Sequence, residues 1–227
     1  FGVALILPDA VSASEVKVSA YARYFAEDSS GDSVGALTQT ASTGMVSKTA
    51  EVASLGSGGR AVATASLGVL ESLAAGAASR GNINNGYASQ GQSRADASWY
   101  DLVTIVGAGP SGTGSANVRF FVDAPSGSVT NSGTADVGGS FSGSAAADFG
   151  LRVNGVLFTF NTQAVLTHSD TDPRYTFTRV NGVDYSGGLD GYWDLAVPIT
   201  FGQAFGIDAV LTTSATALAG ANSTVSS

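Results

Sequence analysis

Residues 96–123, DASWYDLVTIVGAGPSGTGSANVRFFVD, hold two apolar runs joined by a loop of glycine, alanine, proline and serine, and the reading of that loop decides the fold. Gly107, Gly109 and Gly112 stand at the spacing of a dinucleotide-binding turn, G-x-G-x-x-G. Such a turn requires a helix behind its third glycine, whose free N–H groups take the pyrophosphate, and an acidic residue about 20 positions further on. Here Gly114 stands where the helix would run, and Val118, Phe120 and Val122 alternate with Asn117, Arg119, Phe121 and Asp123. A period of two belongs to a strand. The span from Gly112 to Asp123 is also too short for a crossover connection, which takes about a dozen residues or more. The stretch therefore predicts two strands and a flexible connection, paired as a hairpin. In the first arm Trp99, Val103 and Ile105 share one face, and Tyr100, Leu102 and Val106 the other.

The same alternation recurs outward along the chain. Between Val16 and Phe25, Val16, Val18 and Ala20 point one way and Lys17, Ser19 and Tyr21 the other. Glu27 to Ser33 and Gly56 to Gly59 read as turns. Residues 67–80 fit a helical face through Leu67, Leu70, Ala74 and Ala77, or a strand through Leu67, Val69 and Leu73. Gly68 and Gly76 weigh against the helix, so a strand is expected. Asn85-Gly86, Asn154-Gly155 and Asn181-Gly182 are hairpin signals. Many short strands with turn signals about every ten residues predict an all-β chain. The expected fold is a β-sandwich, jelly-roll-like, with an N-terminal extension strand. Residues 1–13 form the extension and 14–227 a single sandwich domain.

The extension begins FGVALIL, with Phe1, Val3, Leu5 and Leu7 on one face and Gly2, Ala4 and Ile6 on the other. Three readings are open. Its apolar run ending in Val11-Ser12-Ala13 has the form of a leader with a small-residue cleavage site. It can also be a strand of its own subunit, or a strand donated to an open sheet edge of a neighbour, which needs alternate apolar anchors. Burying four such side chains contributes on the order of 6 to 12 kcal/mol gross, as an upper bound. Donation is the preferred expectation.

A net charge of −8 and a pI near 4.4 argue against a nucleic-acid partner, because phosphate neutralisation needs clustered Lys and Arg. The absence of cysteine excludes a disulfide scaffold and thiolate metal sites. No run approaches the roughly 18 to 20 apolar residues of a membrane helix, so no membrane span is expected. His168 is the only histidine, and Ser169, Asp170 and Asp172 lie too close to it in sequence to imply a triad. No G-x-S-x-G or H-E-x-x-H occurs. The expectation is a non-enzyme without a cofactor. Asp170 with Asp172, or Glu27 with Asp28 and Asp32, offer oxygen ligands of the kind calcium takes, though neither group fits the calcium-binding loop. Acids in turns ordinarily cap backbone N–H groups. Tyr87, Trp99, Tyr100, Tyr185, Tyr192 and Trp193 form a sugar-stacking platform if exposed and belong to the core if buried.

Ala95, Ala97, Trp99 and Asp101, followed later by Pro198, Phe201, Gly202 and Phe205, carry a family resemblance. The run from Ala95 to Asp123 and the later Val197-Pro-Ile-Thr-Phe-Gly-Gln-Ala-Phe resemble the β-rich body of exported bacterial proteins of the PEP-CTERM class. The sequence departs from that class in showing no Pro-Glu-Pro motif, membrane segment or basic tail after Ser227. The resemblance implies an extracellular or cell-surface location. Together these readings predict a structural protein, the subunit of a filament or surface assembly that polymerises with itself by donating the strand of Phe1, Val3, Leu5 and Leu7. The alternative is a secreted carbohydrate-binding, lectin-like module, in which Trp99, Tyr100, Tyr192 or Trp193 line an exposed patch. An extracellular polysaccharide is the further partner considered.

Overall fold

The computed structural model describes residues 14–26, 29–40, 44–54, 57–79, 89–106, 112–123, 130–131, 141–167, 174–187, 189–219 and 224–226. Among these residues the chain is all strand and turn, and every strand pairing is antiparallel. Strands are numbered in chain order. An eight-stranded sheet runs in the order β12 (Val183–Asp184), β11 (Arg174–Val180), β10 (Val156–Thr167), β9 (Phe141–Val153), β14 (Ala204–Ala219), β6 (Ser89–Thr104), β1 (Glu15–Ala26) and β2 (Ser29–Thr40). A five-stranded sheet contains β3 (Val46–Ser54), β4 (Ser57–Ser66), β5 (Val69–Ser79), β15 (Thr224–Ser226) and β8 (Thr130–Asn131). The third sheet is a ribbon of β13 (Gly191–Thr200) and β7 (Thr113–Val122).

The five-stranded sheet and the ribbon lie side by side on one face of the eight-stranded sheet, which makes a β-sandwich. Register explains how one strand serves two different covers. In β6 the odd-numbered residues point inward: Ser89, Gly91, Ser93, Ala95 and Ala97 face the five-stranded sheet, and Trp99 and Val103 face the ribbon. Strand β14 repeats the division, with Ala215, Ala217 and Ala219 at the small end and Phe205 and Ile207 at the large one. Strand β9 does the same with Ala145 and Ala147 against Phe149, Leu151 and Val153. Large side chains therefore fill the half under the ribbon, where Phe158 meets Phe120 edge-on at 5.0 Å and Trp193 at 5.2 Å.

At the small end the two sheets meet nearly backbone to backbone. Face-packed sheets ordinarily sit about 10 Å apart, whereas here Cα atoms of β1, β6 and β14 come within 8 Å of β3, β4 or β5. A Cβ on Gly91 would overlap the carbonyl oxygens of Gly58 and Ala77, and one on Gly59 the carbonyl of Gln92. Ser93 bridges the layers by donating from Oγ to the Ala75 carbonyl at 2.9 Å. Glycine at positions 59 and 91 is thus a steric requirement of this interface.

Several sequence expectations hold. Residues 69–79 form a strand, and its entry turn uses Gly68 at φ +80°. Asn154-Gly155 and Asn181-Gly182 have φ of 47° and 82°, and of 50° and 79°, the paired positive values of a type I′ hairpin turn. Asn154 also donates from Nδ2 to the Pro198 carbonyl at 2.7 Å, which ties the β9–β10 hairpin to the ribbon.

The hairpin expected within residues 96–123 does not form. Strand β6 pairs with β1 and β14, and β7 pairs with β13. The physical reason is that both arms carry an apolar stripe. Edge-to-edge pairing would leave the two stripes side by side in one layer, whereas placing β7 in the opposing layer buries Val118 and Phe120 against the stripe of Trp99 and Val103. Two expected turns are also shorter than predicted: Ser29 to Ser33 pair with β1 from Ala22 to Ala26, and Ser57 to Gly59 pair with β3 from Val52 to Ser54.

Candidate functional site

Phe1, Val3, Leu5 and Leu7 lie outside the described residues, as do Gly107, Gly109, Glu27, Asp28, Tyr87, His168, Asp170 and Asp172. Asp32 lies in β2 opposite Arg23. Among the described residues no group of three or more His, Cys, Asp or Glu is placed to hold a metal ion.

The aromatic residues singled out from the sequence divide between core and surface. Trp99 packs into the core, and Trp193 donates from Nε1 to the Leu189 carbonyl at 3.0 Å beneath the ribbon. Tyr185 rests against Trp193 at 5.8 Å, and the Tyr100 ring lies over Gly206 on the outer face of the large sheet. Tyr192 is 73% exposed and meets Phe121, itself 59% exposed, edge-on at 5.1 Å. The alternation of β7 sends Phe120 inward and therefore Phe121 outward. That signal was present in the sequence, but Phe121 was not counted among the surface aromatics.

One step along the ribbon Arg119 and Asp194 face each other across the strands. Arg119 donates from Nε to Oδ1 at 2.8 Å and from Nη2 to Oδ2 at 3.0 Å, a bidentate pair. These hydrogen bonds hold the Asp194 carboxyl below its ordinary pKa and raise that of Arg119. The guanidinium also stands 5.9 Å from the centre of the Tyr192 ring. The outer face of the ribbon thus presents an aromatic corner beside a neutralised ion pair, with Asn117 beyond it.

The outer face of the eight-stranded sheet carries a polar network centred on Asp96. Its carboxylate accepts from Thr212 Oγ1 at 2.8 Å, Ser19 Oγ at 3.1 Å and Arg94 Nε at 3.0 Å. Burial pushes the carboxyl pKa up, but the hydrogen bonds from Arg94, Thr212 and Ser19, with the Arg94 charge, outweigh it and hold the pKa below the ordinary value. A carboxyl with a lower pKa folded than unfolded binds fewer protons in the native state. Its stabilisation is present above the unfolded pKa of about 3.9 and is lost as pH falls through the folded value. Asp96→Asn is expected to remove part of the acid sensitivity below about pH 4, and Asp96→Ala to cost on the order of 1 kcal/mol at neutral pH, an amount reduced by solvent screening. Denaturant titrations from pH 2 to 7 check both; an unchanged acid limb in Asp96→Asn would contradict the assignment.

Hollows open on the surface among the described residues, two of which bear on a site. One, about 410 Å³, lies beside Asp148, Asn161, Arg179 and Gly182. Its polar groups engage one another: Asn161 bonds Asp148, and Arg179 bonds Asp184 just outside it. The second, about 260 Å³, is a groove between β5 and the inner face of β9, β10 and β14. Ala145, Ala147 and Ala164 line its floor, and Ser72, Leu73 and Ala74 its wall. Among the described residues β15 pairs with β5 from Ala77 to Ser79. Among the described residues no strand flanks β5 from Val69 to Ala74 on the side away from β4.

No family model, curated protein or solved structure matches the chain. Among the described residues no helix is long and apolar enough to cross a membrane.

Proposed function

We propose that this chain is an extracellular structural protein, the subunit of a filament or surface assembly that polymerises by donating the strand of Phe1, Val3, Leu5 and Leu7 to a neighbour. The observation that carries this reading is the edge of β5. An unpaired strand edge is a template for another chain, and proteins blunt such edges with charge, proline or shortness. Strand β3 carries Lys48 and Glu51, β13 carries Pro198, and β12 has two residues. Residues 69–74, VLESLA, carry one acid and no lysine or proline, with Val69 and Leu73 half exposed. Strand donation joins different surfaces of successive subunits, and such contacts extend into fibres when they do not close. The resemblance to exported PEP-CTERM-class proteins supports the extracellular location, and the jelly-roll-like wrapping with its extension strand belongs to this same proposal. No catalytic role is included in it.

Sedimentation velocity of the full chain beside one lacking residues 1–13 tests the reading. The full chain is expected to sediment as polymer and the truncated chain as a monomer lighter than the 22.6 kDa of the whole chain. Equal sedimentation of the two removes strand donation.

A second reading, a carbohydrate-binding module, is favoured by the outer face of the ribbon. A sugar ring offers an apolar face to stack on an aromatic and hydroxyls that need donors and acceptors together. Phe121 with Tyr192 and the Arg119–Asp194 pair supply that combination. Pull-down on insoluble polysaccharides is expected, on this reading, to lose binding at least tenfold in Tyr192→Ala with thermal stability unchanged within about 0.5 kcal/mol. Absence of binding by the unmodified protein removes it.

A further inference from the structure

Resting on that reading, we infer that the acceptor site for the donated strand is the groove between β5 and the Ala145–Ala147–Ala164 floor, and that its occupant is residues 1–13 of a second copy. Three observations meet there. The first is the lane itself: β15 lies beside β5 and above β9 and β14 at Ala77 to Ser79, and the groove continues that lane alongside Val69 to Ala74. A strand placed there extends the five-stranded sheet over the floor of Ala145, Ala147 and Ala164.

The second is size. Where β4 and β5 cross β6, a Cβ added at Gly59, Gly76 or Gly91 would meet main-chain atoms of the facing sheet, so the layers touch there. Over Ala145, Ala147 and Ala164 a volume of about 260 Å³ is left. An apolar cavity of about 150 Å³ accepts a benzene ring. The groove therefore suits a strand that brings larger side chains than its neighbours do, and Phe1, Val3, Leu5 and Leu7 are such a set on one face.

The third is a pair of hydroxyls. Thr213 Oγ1, on the floor, and Ser72 Oγ, on the wall, are buried and have no hydrogen-bond partner among the described residues. Both line the groove. The molecule already contains the bond that such a floor hydroxyl makes when a strand lies above it, since Ser93 Oγ on β6 donates to the Ala75 carbonyl of β5. Thr213 stands on the adjacent strand, β14, one step along in register. A donated strand beside β5 brings main-chain groups over Thr213 as β5 brings them over Ser93.

Because the chain has no cysteine, only the introduced cysteines can form disulfides, and the linked heterodimer is told from the two homodimers by mass with one partner tagged. Adjacent strands bring facing Cα atoms to about 4.5–5.5 Å, within disulfide range. Full-length Ser72→Cys protein is mixed in turn with full-length Val3→Cys, Leu5→Cys and Leu7→Cys protein and oxidised mildly. The expected result is a disulfide-linked heterodimer at one of the three positions, lost when the Ser72→Cys partner also carries Ala145→Phe, which fills the groove. Circular dichroism and thermal melting check that this double variant folds; should it not fold, Thr213→Val, which keeps the shape and removes the hydroxyl, is expected to reduce the cross-link yield at least threefold. Polymers that require residues 1–13 but give no cross-link to position 72 overturn the groove and leave strand donation standing. Absence of polymer in the unmodified protein overturns strand donation itself. A disulfide that closes within one chain, in a monomeric variant carrying both substitutions, overturns the assignment to a second copy.

Discussion

Gly91→Val is expected to destabilise the protein by about 3 kcal/mol or more, the upper part of the range for overpacking. The new Cβ meets the carbonyl oxygens of Gly58 and Ala77, which are main chain and cannot swing aside as a side-chain end could. Relief requires β6 to move away from β4 and β5, which opens the Ala and Gly interface along its length. At about 2–4 °C per kcal/mol for a chain of this size, the midpoint of thermal unfolding falls by roughly 6–12 °C. Gly150→Ala is the matched control. It also lies within a strand of the large sheet, but nothing stands within 4 Å of its added Cβ. Relief of the glycine entropy cost there makes the change neutral or stabilising by about 0.5 kcal/mol. Thermal melts followed by circular dichroism compare the pair; similar midpoints would mean that the sheets do not approach so closely.

Phe158→Ala is expected to cost about 3–5 kcal/mol, for the opposite reason. Phe158 is 5% exposed and lies between Phe120 and Trp193, at 5.0 and 5.2 Å between ring centres. Rings of this size fix the spacing between ribbon and large sheet, so removing one leaves a cavity that the main chain cannot close over. The Trp193 indole then gains access to water, and its fluorescence emission is expected to shift to the red as stability falls. Tyr192→Ala, one residue away but on the outer face, is expected to do neither. If the two substitutions were equal in cost, the ribbon would not be held by its inner aromatic layer.

Gly91 on β6 and Phe158 on β10 lie at opposite ends of the eight-stranded sheet, and that division was only half legible in the sequence. The alternation from Val16 to Phe25 gives β1 and its inward face directly, because a period of two needs no knowledge of partners. The Asn-Gly pairs give their turns for the same local reason. Which strand pairs with which was not legible. The two arms within residues 96–123 are neighbours in sequence, and their loop length allows a hairpin, but pairing was decided by strands far away: β1 and β14 claim the edges of β6, and β13 claims β7. The abundance of glycine is plain in the composition. Its structural meaning, that Gly59, Gly76 and Gly91 let two sheets touch through their main chains, depends on which residues face each other across the layers.

The candidate sites were legible to a similar degree. Tyr192 was recognised, and Phe121 could have been, since the inward set of Val118, Phe120 and Val122 leaves it outside. The groove beside β5 could not be found from sequence. Its floor comes from β9, β10 and β14 and its wall from β5, and Thr213 and Ser72 are 141 positions apart in the chain. Nothing local to either hydroxyl distinguishes it from the many others on these strands.

Electron microscopy of negatively stained protein tests the central claim most directly, with the full chain beside a chain lacking residues 1–13. Filaments from the full chain, and dispersed particles from the shortened one, are the predicted result. Filaments from both, or dispersed particles from both, would contradict assembly through the donated N-terminal strand.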